Sequence, residues 1–272
     1  MGLFDILRTT PSVASYESQN FLVVAALQEE LNEFYKLDPN FSKMERMEGD
    51  CYEVSFNNNG KTTIVLTYSA DKMGMPFNAA SIMRIINIHQ PYFTLFIGTC
   101  ASIGKKRNLG DVLIPHRIFS YESGKYEDGS FKPDYYAYET GETLRKQANL
   151  LYSRIENSLK YKVSYDDDFS SGGAVIDDEN IVIEIEKRSG RKLSGLDMEA
   201  YSIGCINFIL KPNKELLVIK GISDYARKKS ETEQQGNKKL ARKNAAEYAF
   251  ELIKHLDSNV LGPPKEIEIW AP

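Results

Sequence analysis

The chain has 272 residues, 42% of them hydrophobic, which is enough to bury one substantial core. Thirty-four Lys and Arg against 38 Asp and Glu leave a formal charge of −4, a balance that argues against nucleic acid as the partner, because nucleic-acid binders carry a basic surplus. The 3 cysteines (Cys51, Cys100, Cys205) and 3 histidines are too few and too scattered for a disulfide framework or a zinc site, so no metal and no cofactor is expected.

Residues 1–19 mix Ser, Thr, Pro and charges and are expected to form an arm outside the core. They lack the basic start and apolar run of a signal peptide, and no later run approaches the roughly 20 apolar residues of a membrane span, so a cytoplasmic protein with no membrane partner is expected. Residues 21–27 (FLVVAAL) are continuously apolar and β-branched at the centre, as in a buried parallel strand. Residues 28–37 turn to helical spacing, and residues 62–68 (TTIVLTY) form the next predicted strand. Ala79, Ile82, Met83 and Ile86 mark a helix over 78–89; strands follow at 92–98 and 111–118. Leu144, Ala148, Leu151, Ile155 and Leu159 predict a long amphipathic helix. Residues 215–222 (ELLVIKGI) are a late strand, and 240–256 a closing helix. The expected domain is 20–258, followed by a tail, 259–272, that carries Trp270. Alternating strands and helices imply an α/β fold: a three-layer sandwich with a central mixed, largely parallel sheet.

In such sheets ligands bind beyond the carboxyl ends of the strands. Gln28-Glu29-Glu30 follows the first strand, Gly98-Thr99-Cys100-Ala101-Ser102 the third, and Ser223-Asp224 the late one. Each has an ordinary alternative. The small residues suit a tight turn, Gly110-Asp111 is a common turn signal, and Ser223-Asp224 suits a helix cap. Asp197-Met198-Glu199-Ala200 precedes helical spacing, where acidic residues complement the helix dipole.

Taken together, GTCAS, GDVLI, SGGAVI, LDMEA and KGISDYA stand in the order and spacing of the nucleoside phosphorylase and nucleosidase superfamily. Over residues 20–256 the chain resembles its nucleosidase branch, which holds the methylthioadenosine/S-adenosylhomocysteine nucleosidases. The resemblance implies a phosphorylase/hydrolase-like fold and a set of roles. Asp224 matches the acid that protonates a departing purine, and Glu30 the glutamate that activates water. Glu199 matches the ligand of the ribose hydroxyls, with Met198 under the sugar. Thr99, Cys100 and Ala101 match the segment beside base and sugar, Val175 and Ile176 the segment whose backbone meets the purine, and Ser223 precedes the acid. Two departures stand out: SGG replaces the common SGD at Gly173, and Val175 stands where an aromatic residue is often seen. The resemblance also implies a homo-oligomer, a dimer or hexamer, with the site near a subunit interface.

The chemistry suits these residue types independently. Glycosidic cleavage passes through an oxocarbenium-like transition state, and the leaving purine gains from a proton on N7. A buried carboxylic acid can hold that proton, while a second carboxylate polarises water, the general logic of glycoside hydrolysis. Phosphorolysis is the alternative. It needs cations around the phosphate, yet Leu95-Phe96-Ile97 holds none and no glycine-rich turn follows the first strand. Met73-Gly74-Met75-Pro76 with Arg84 resembles a phosphorylase turn and points the other way. Arg227-Lys228-Lys229, with Lys238, Lys239, Arg242 and Lys243 beyond, is either a solvated face or a basic rim for a phosphorylated substrate. The small-molecule partner expected is therefore a purine nucleoside or nucleotide. A module that senses nucleotides without catalysis is the remaining alternative.

Overall fold

A computed structural model of the chain describes residues 21–103, 107–134, 136–211, 213–227 and 235–258. The expected arm and tail, and Lys228 and Lys229, lie outside the described residues. In chain order the elements are β1 (Phe21–Ala25), α1 (Gln28–Tyr35), β2 (Glu45–Arg46), β3 (Tyr52–Asn58), β4 (Lys61–Ser69) and α2 (Met75–His89). There follow β5 (Phe93–Ser102), β6 (Val112–Ser120), β7 (Gly124–Glu127), β8 (Ser130–Pro133), β9 (Ala137–Glu139), α3 (Glu142–Ile155) and β10 (Val163–Ser171). The last are α4 (Glu179–Ser189), β11 (Leu193–Asp197), α5 (Ala200–Leu210), β12 (Glu215–Asp224) and α6 (Gln235–Ser258).

All five residues of β1 are buried because the strand lies parallel between β4 and β5 and is covered on both faces. Its side chains alternate, as the two-residue repeat of a strand requires. Phe21, Val23 and Ala25 pack toward Leu31 and Phe34 of α1, Leu144 and Ala148 of α3 and Tyr248 of α6. Leu22 and Val24 pack toward Ile82 and Ile86 of α2 and Ile203 and Ile206 of α5. The sheet is mixed: parallel pairings join β4–β1–β5–β12 and β6–β10–β11, while β3/β4, β6/β12 and β5/β11 run antiparallel.

A mixed sheet between helices is as expected, but a plain three-layer sandwich is not what the pairing builds. β5 runs on past Gly98 to Ser102, and its end pairs with β11, Ala101 opposite Leu196 and Ser102 opposite Gly195. That contact closes β11–β10–β6–β12–β5 into a barrel-like ring. The segment Gly98-Thr99-Cys100-Ala101-Ser102, expected as a turn, is thus strand.

β12 likewise continues beyond the expected end at residue 222 to Asp224. Its register against β5 shifts between Ile222, opposite Cys100, and Asp224, opposite Ala101. One extra residue in a strand re-aims its neighbours, so Ser223 and Asp224 can line the same cavity instead of alternating across the sheet. Gly221 lets α6 approach: a Cβ there would stand 2.1 Å from the Ala241 carbonyl oxygen. This close packing brings Lys238 and Arg242, which flank Ala241 on α6, to the cavity wall. Among the described residues no helix is long and apolar enough to cross a membrane.

Candidate active site

The strand ends surround a cavity of about 280 Å³. Its lining includes Leu27 and Glu30 after β1, Thr99, Cys100 and Ala101 of β5, and Ser223 and Asp224 of β12. Val175 and Ile176, Asp197 at the end of β11, and Met198 and Glu199 just beyond it also line the cavity; of these residues Leu27 and Asp197 were not anticipated from sequence. Residues separated by almost the whole domain thus meet in one place.

Glu30 sits in the first turn of α1, where the helix N-terminus favours an acid. Its carboxylate accepts from the Leu27 backbone N–H at 3.2 Å and from the Thr99 N–H at 3.1 Å. It passes directly over Gly98: a Cβ there would stand 2.7 Å from Glu30 Oε1 and 3.0 Å from Lys220 Nζ. No side chain larger than hydrogen fits without displacing one of these charges. Burial raises the affinity of Glu30 for a proton above the usual carboxylate range, while Lys220 and the two backbone donors oppose that shift.

Lys220 is the feature that sequence reasoning missed. It is 1% exposed within β12 and lies over the Phe96 ring at 4.2 Å. Its Nζ is 3.2 Å from Asp197 Oδ2 and 3.8 Å from Glu199 Oε2. Burial alone would favour the neutral amine, but Asp197, Glu199 and Glu30 outweigh it and hold the ammonium form. Asp197 also accepts from Ser171 Oγ at 2.6 Å and from the Ala200 N–H at 3.1 Å, which ties the end of β11 to the start of α5. Glu199 follows two residues later and accepts from the Gly74 N–H at 3.1 Å. Burial, reinforced by Asp197 and opposed by Lys220, pushes its pKa up to about 7.

Asp224 is 5% exposed. Oδ1 accepts from the Ala226 N–H at 2.8 Å, and Oδ2 from Ser223 Oγ at 2.9 Å. Ser223 Oγ in turn lies 3.3 Å from the Cys100 carbonyl. The Ser223 hydroxyl, with one donor hydrogen and two lone pairs, can either donate to Asp224 or accept a hydrogen bond from its carboxyl group while donating to that carbonyl. Burial holds the Cys100 thiol in its neutral form, far from a nucleophilic thiolate.

The segment Gly172-Gly173-Ala174-Val175 is held from outside the cavity. Tyr121 Oη donates to the Ala174 carbonyl at 3.1 Å, and Glu122 accepts from the Gly173 N–H at 2.8 Å. With no carboxylate at position 173, Glu122 takes up that amide. Val175 is 59% exposed, while Ile176 is buried against the cluster around α4.

Of the four anticipated cations, Lys228 and Lys229 lie outside the described residues, and the other two do not line the cavity. Arg227 pairs with Glu179 at 3.3 Å and Glu186 at 3.6 Å on α4 and is not among the lining residues. Arg84 is exposed on α2 beside Gly49 and Asp50, again away from the cavity. The Met73-Gly74 turn with which it was grouped instead donates its Gly74 N–H to Glu199. The cations that do line the cavity are Lys238 and Arg242.

The folded ring and a carboxylate-lined cavity at its strand ends define an α/β protein of the phosphorylase and nucleosidase type. The chain belongs to the Phosphorylase superfamily, whose family model matches residues 20–256. It is 29% identical over 224 residues to a death domain-containing ATP nucleosidase of Amphimedon queenslandica, covering 74% of this chain and 40% of that protein. It is 24% identical over 242 residues to an uncharacterized protein of Sinorhizobium fredii, covering 82% of this chain. The chain spans 57% of that relative's length and 40% of the Amphimedon queenslandica protein's. Among solved structures, a 5′-methylthioadenosine/S-adenosylhomocysteine nucleosidase of Neisseria meningitidis, in complex with methylthio-immucillin-A, superposes with a TM-score of 0.69. The match is 19% identical and covers 86% of this chain and 98% of that one, so it bears out the fold expected from the resemblance.

Proposed function

We propose that this chain hydrolyses the N-glycosidic bond of a purine nucleoside or nucleotide, with adenine as the leaving base. The observation that carries the reading is the placement of two buried carboxylates on either side of β5. Asp224 ends β12 next to Ala101, and Glu30 follows β1 and accepts from Thr99. In this reading Asp224 donates its proton to N7 as the C1′–N9 electron pair leaves with the base. Water attacks C1′, and Glu30 takes the water's proton. A carboxylate whose proton affinity burial has raised, against the opposing pull of Lys220, is suited to taking up that proton. Glu199 accepts from ribose hydroxyls, Met198 lies under the sugar, and Thr99 to Ile176 supply the walls around base and ribose. The ATP nucleosidase of Amphimedon queenslandica and the 5′-methylthioadenosine/S-adenosylhomocysteine nucleosidase of Neisseria meningitidis support an adenine compound as substrate. Phosphorolysis is disfavoured because Glu30, placed beside the attacking nucleophile in this reading, would repel a phosphate; at about 4 Å and effective ε near 20 one such charge pair costs about 4 kcal/mol.

Assembly of copies belongs to the same reading. Tyr136, Tyr138, Tyr201 and Phe208 form a chain of ring contacts, and Phe208 is 60% exposed beside Ile209. Light scattering that returns the 30.9 kDa monomer mass at micromolar concentration would remove it.

The test of activity is incubation with adenosine, 5′-methylthioadenosine, AMP, ATP, inosine and guanosine in phosphate-free buffer. Chromatography should find free adenine. Absence of base release from every purine would end the reading.

A further inference from the structure

The cavity wall carries two cations for which cleavage of a neutral nucleoside has no use. Lys238 and Arg242 are one helical turn apart on α6 and share the face that reaches the cavity. The packing of Ala241 against Gly221 fixes them there. Arg242 Nη2 is 2.6 Å from Glu29 Oε2, and Glu29 itself is 66% exposed. The Nε–H of Arg242 is buried and has no acceptor among the described residues. An unpartnered buried donor costs free energy that a ligand acceptor would recover. A guanidinium edge is the shape that suits a phosphoryl oxygen pair, and a lysine beside it adds a point charge. The deep part of the cavity is different in kind: there Lys220 is consumed by Asp197, Glu199 and Glu30. Among the described residues, the α6 face carries the lining cations that stand apart from this deep cluster, where they can offset a phosphate charge.

We propose that Lys238 and Arg242 form a subsite for the phosphoryl group of a nucleotide substrate, so that the chain prefers adenine nucleotides to adenosine. This rests on the reading of the cavity as a nucleosidase site. Inorganic phosphate offers the same chemistry, and the experiment separates the two sources.

Turnover of AMP, ATP and adenosine is compared in the wild-type protein and in Lys238→Ala, Arg242→Ala and the double variant, with Lys239→Ala as control for an exposed charge on the same helix. The wild type should favour a nucleotide over adenosine, and each substitution should reduce that ratio by about 10- to 100-fold, the size of one charge-assisted contact. Lys239→Ala should leave it unchanged. Calorimetric binding of the three ligands to Glu30→Gln repeats the comparison without turnover. Nucleotide-selective binding that Arg242→Ala erases, in a protein that releases no base, would keep the subsite and end the nucleosidase reading. A wild-type ratio near one, or equal loss on nucleotide and adenosine, would overturn the subsite and leave that reading intact. A rate increase by inorganic phosphate that disappears in Arg242→Ala, with sugar 1-phosphate as product, would overturn it too, by assigning the face to a phosphate nucleophile.

Discussion

The floor and the rim of this cavity are built in opposite ways. On the floor Glu30, Asp197, Glu199 and Lys220 are all at least nine-tenths buried, and each is tied to the others or to backbone N–H groups. At the rim Met73 and Val175 are more than half exposed, and Arg242 leans on an exposed glutamate. Buried charges are costly unless paired, so the floor tolerates one arrangement only. Rim contacts cost little to rearrange. On the proposed reading, the chemistry belongs to the paired, buried strand ends, while the choice of substrate rests with one helix and one loop at the rim.

The sharpest break in the comparison is expected at Asp224, the proposed proton donor, which is buried like the floor. Asp224→Asn keeps the shape and removes the acidic proton, so base release should fall by about 10²- to 10⁴-fold with the fold intact. Turnover above a tenth of wild type, measured by adenine release, would remove Asp224 as the acid. Next comes the floor's cation. Lys220→Met leaves Asp197, Glu199 and Glu30 buried without their shared partner, which should cost about 3–5 kcal/mol of unfolding free energy. A denaturant midpoint equal to that of wild type would show the cluster to be looser than its burial implies. The smallest effect is at Glu199. With its pKa at about 7, a sugar ligand that must be ionised weakens as pH falls through 7, so KM for a riboside should rise on that side. Glu199→Gln should flatten the profile and cost about 1.5–3 kcal/mol in kcat/KM. The sign for stability is opposite: a carboxyl group raised from 4.5 favours the folded state at low pH, and that contribution is lost as pH rises through 7. Equal harm to a riboside and its 2′,3′-dideoxy analogue would take Glu199 out of the sugar site.

Much of this was legible before any coordinates. The FLVVA run of β1, the helical spacing of α2 and the ELLVIK run of β12 are local signals, and each element lies where its pattern places it. The carboxylates were legible as well, because strand ends are where such sheets hold ligands. Lys220 was not. One lysine in an apolar run reads as a tolerated charge, and only the convergence of β11, α1 and β12 supplies its three partners. A lysine between Val218-Ile219 and Gly221-Ile222, too deep in a strand to reach water, was the available signal. β10 escaped for the converse reason. Its acidic residues Asp167 and Asp168 look like loop, and Arg107 and Arg117, distant in sequence, make them strand. The closure of the ring and the extension of β5 through its small residues depend on β11 in the same non-local way. For Arg227 the sequence left a solvated face and a basic rim both open, because composition cannot show its pair of salt bridges to α4.

The most direct test of the account is the identity of the sugar product. The protein is incubated with a purine nucleoside or nucleotide that it cleaves, with and without millimolar inorganic phosphate, and the sugar is identified by mass spectrometry. If Glu30 activates water beneath the sugar, the product is the sugar with its 5′-substituent retained and a free anomeric hydroxyl (ribose from adenosine, ribose 5-phosphate from AMP), formed at the same rate in both buffers. Ribose 1-phosphate or its 5-phosphorylated counterpart, formed faster as phosphate is added, would contradict the account.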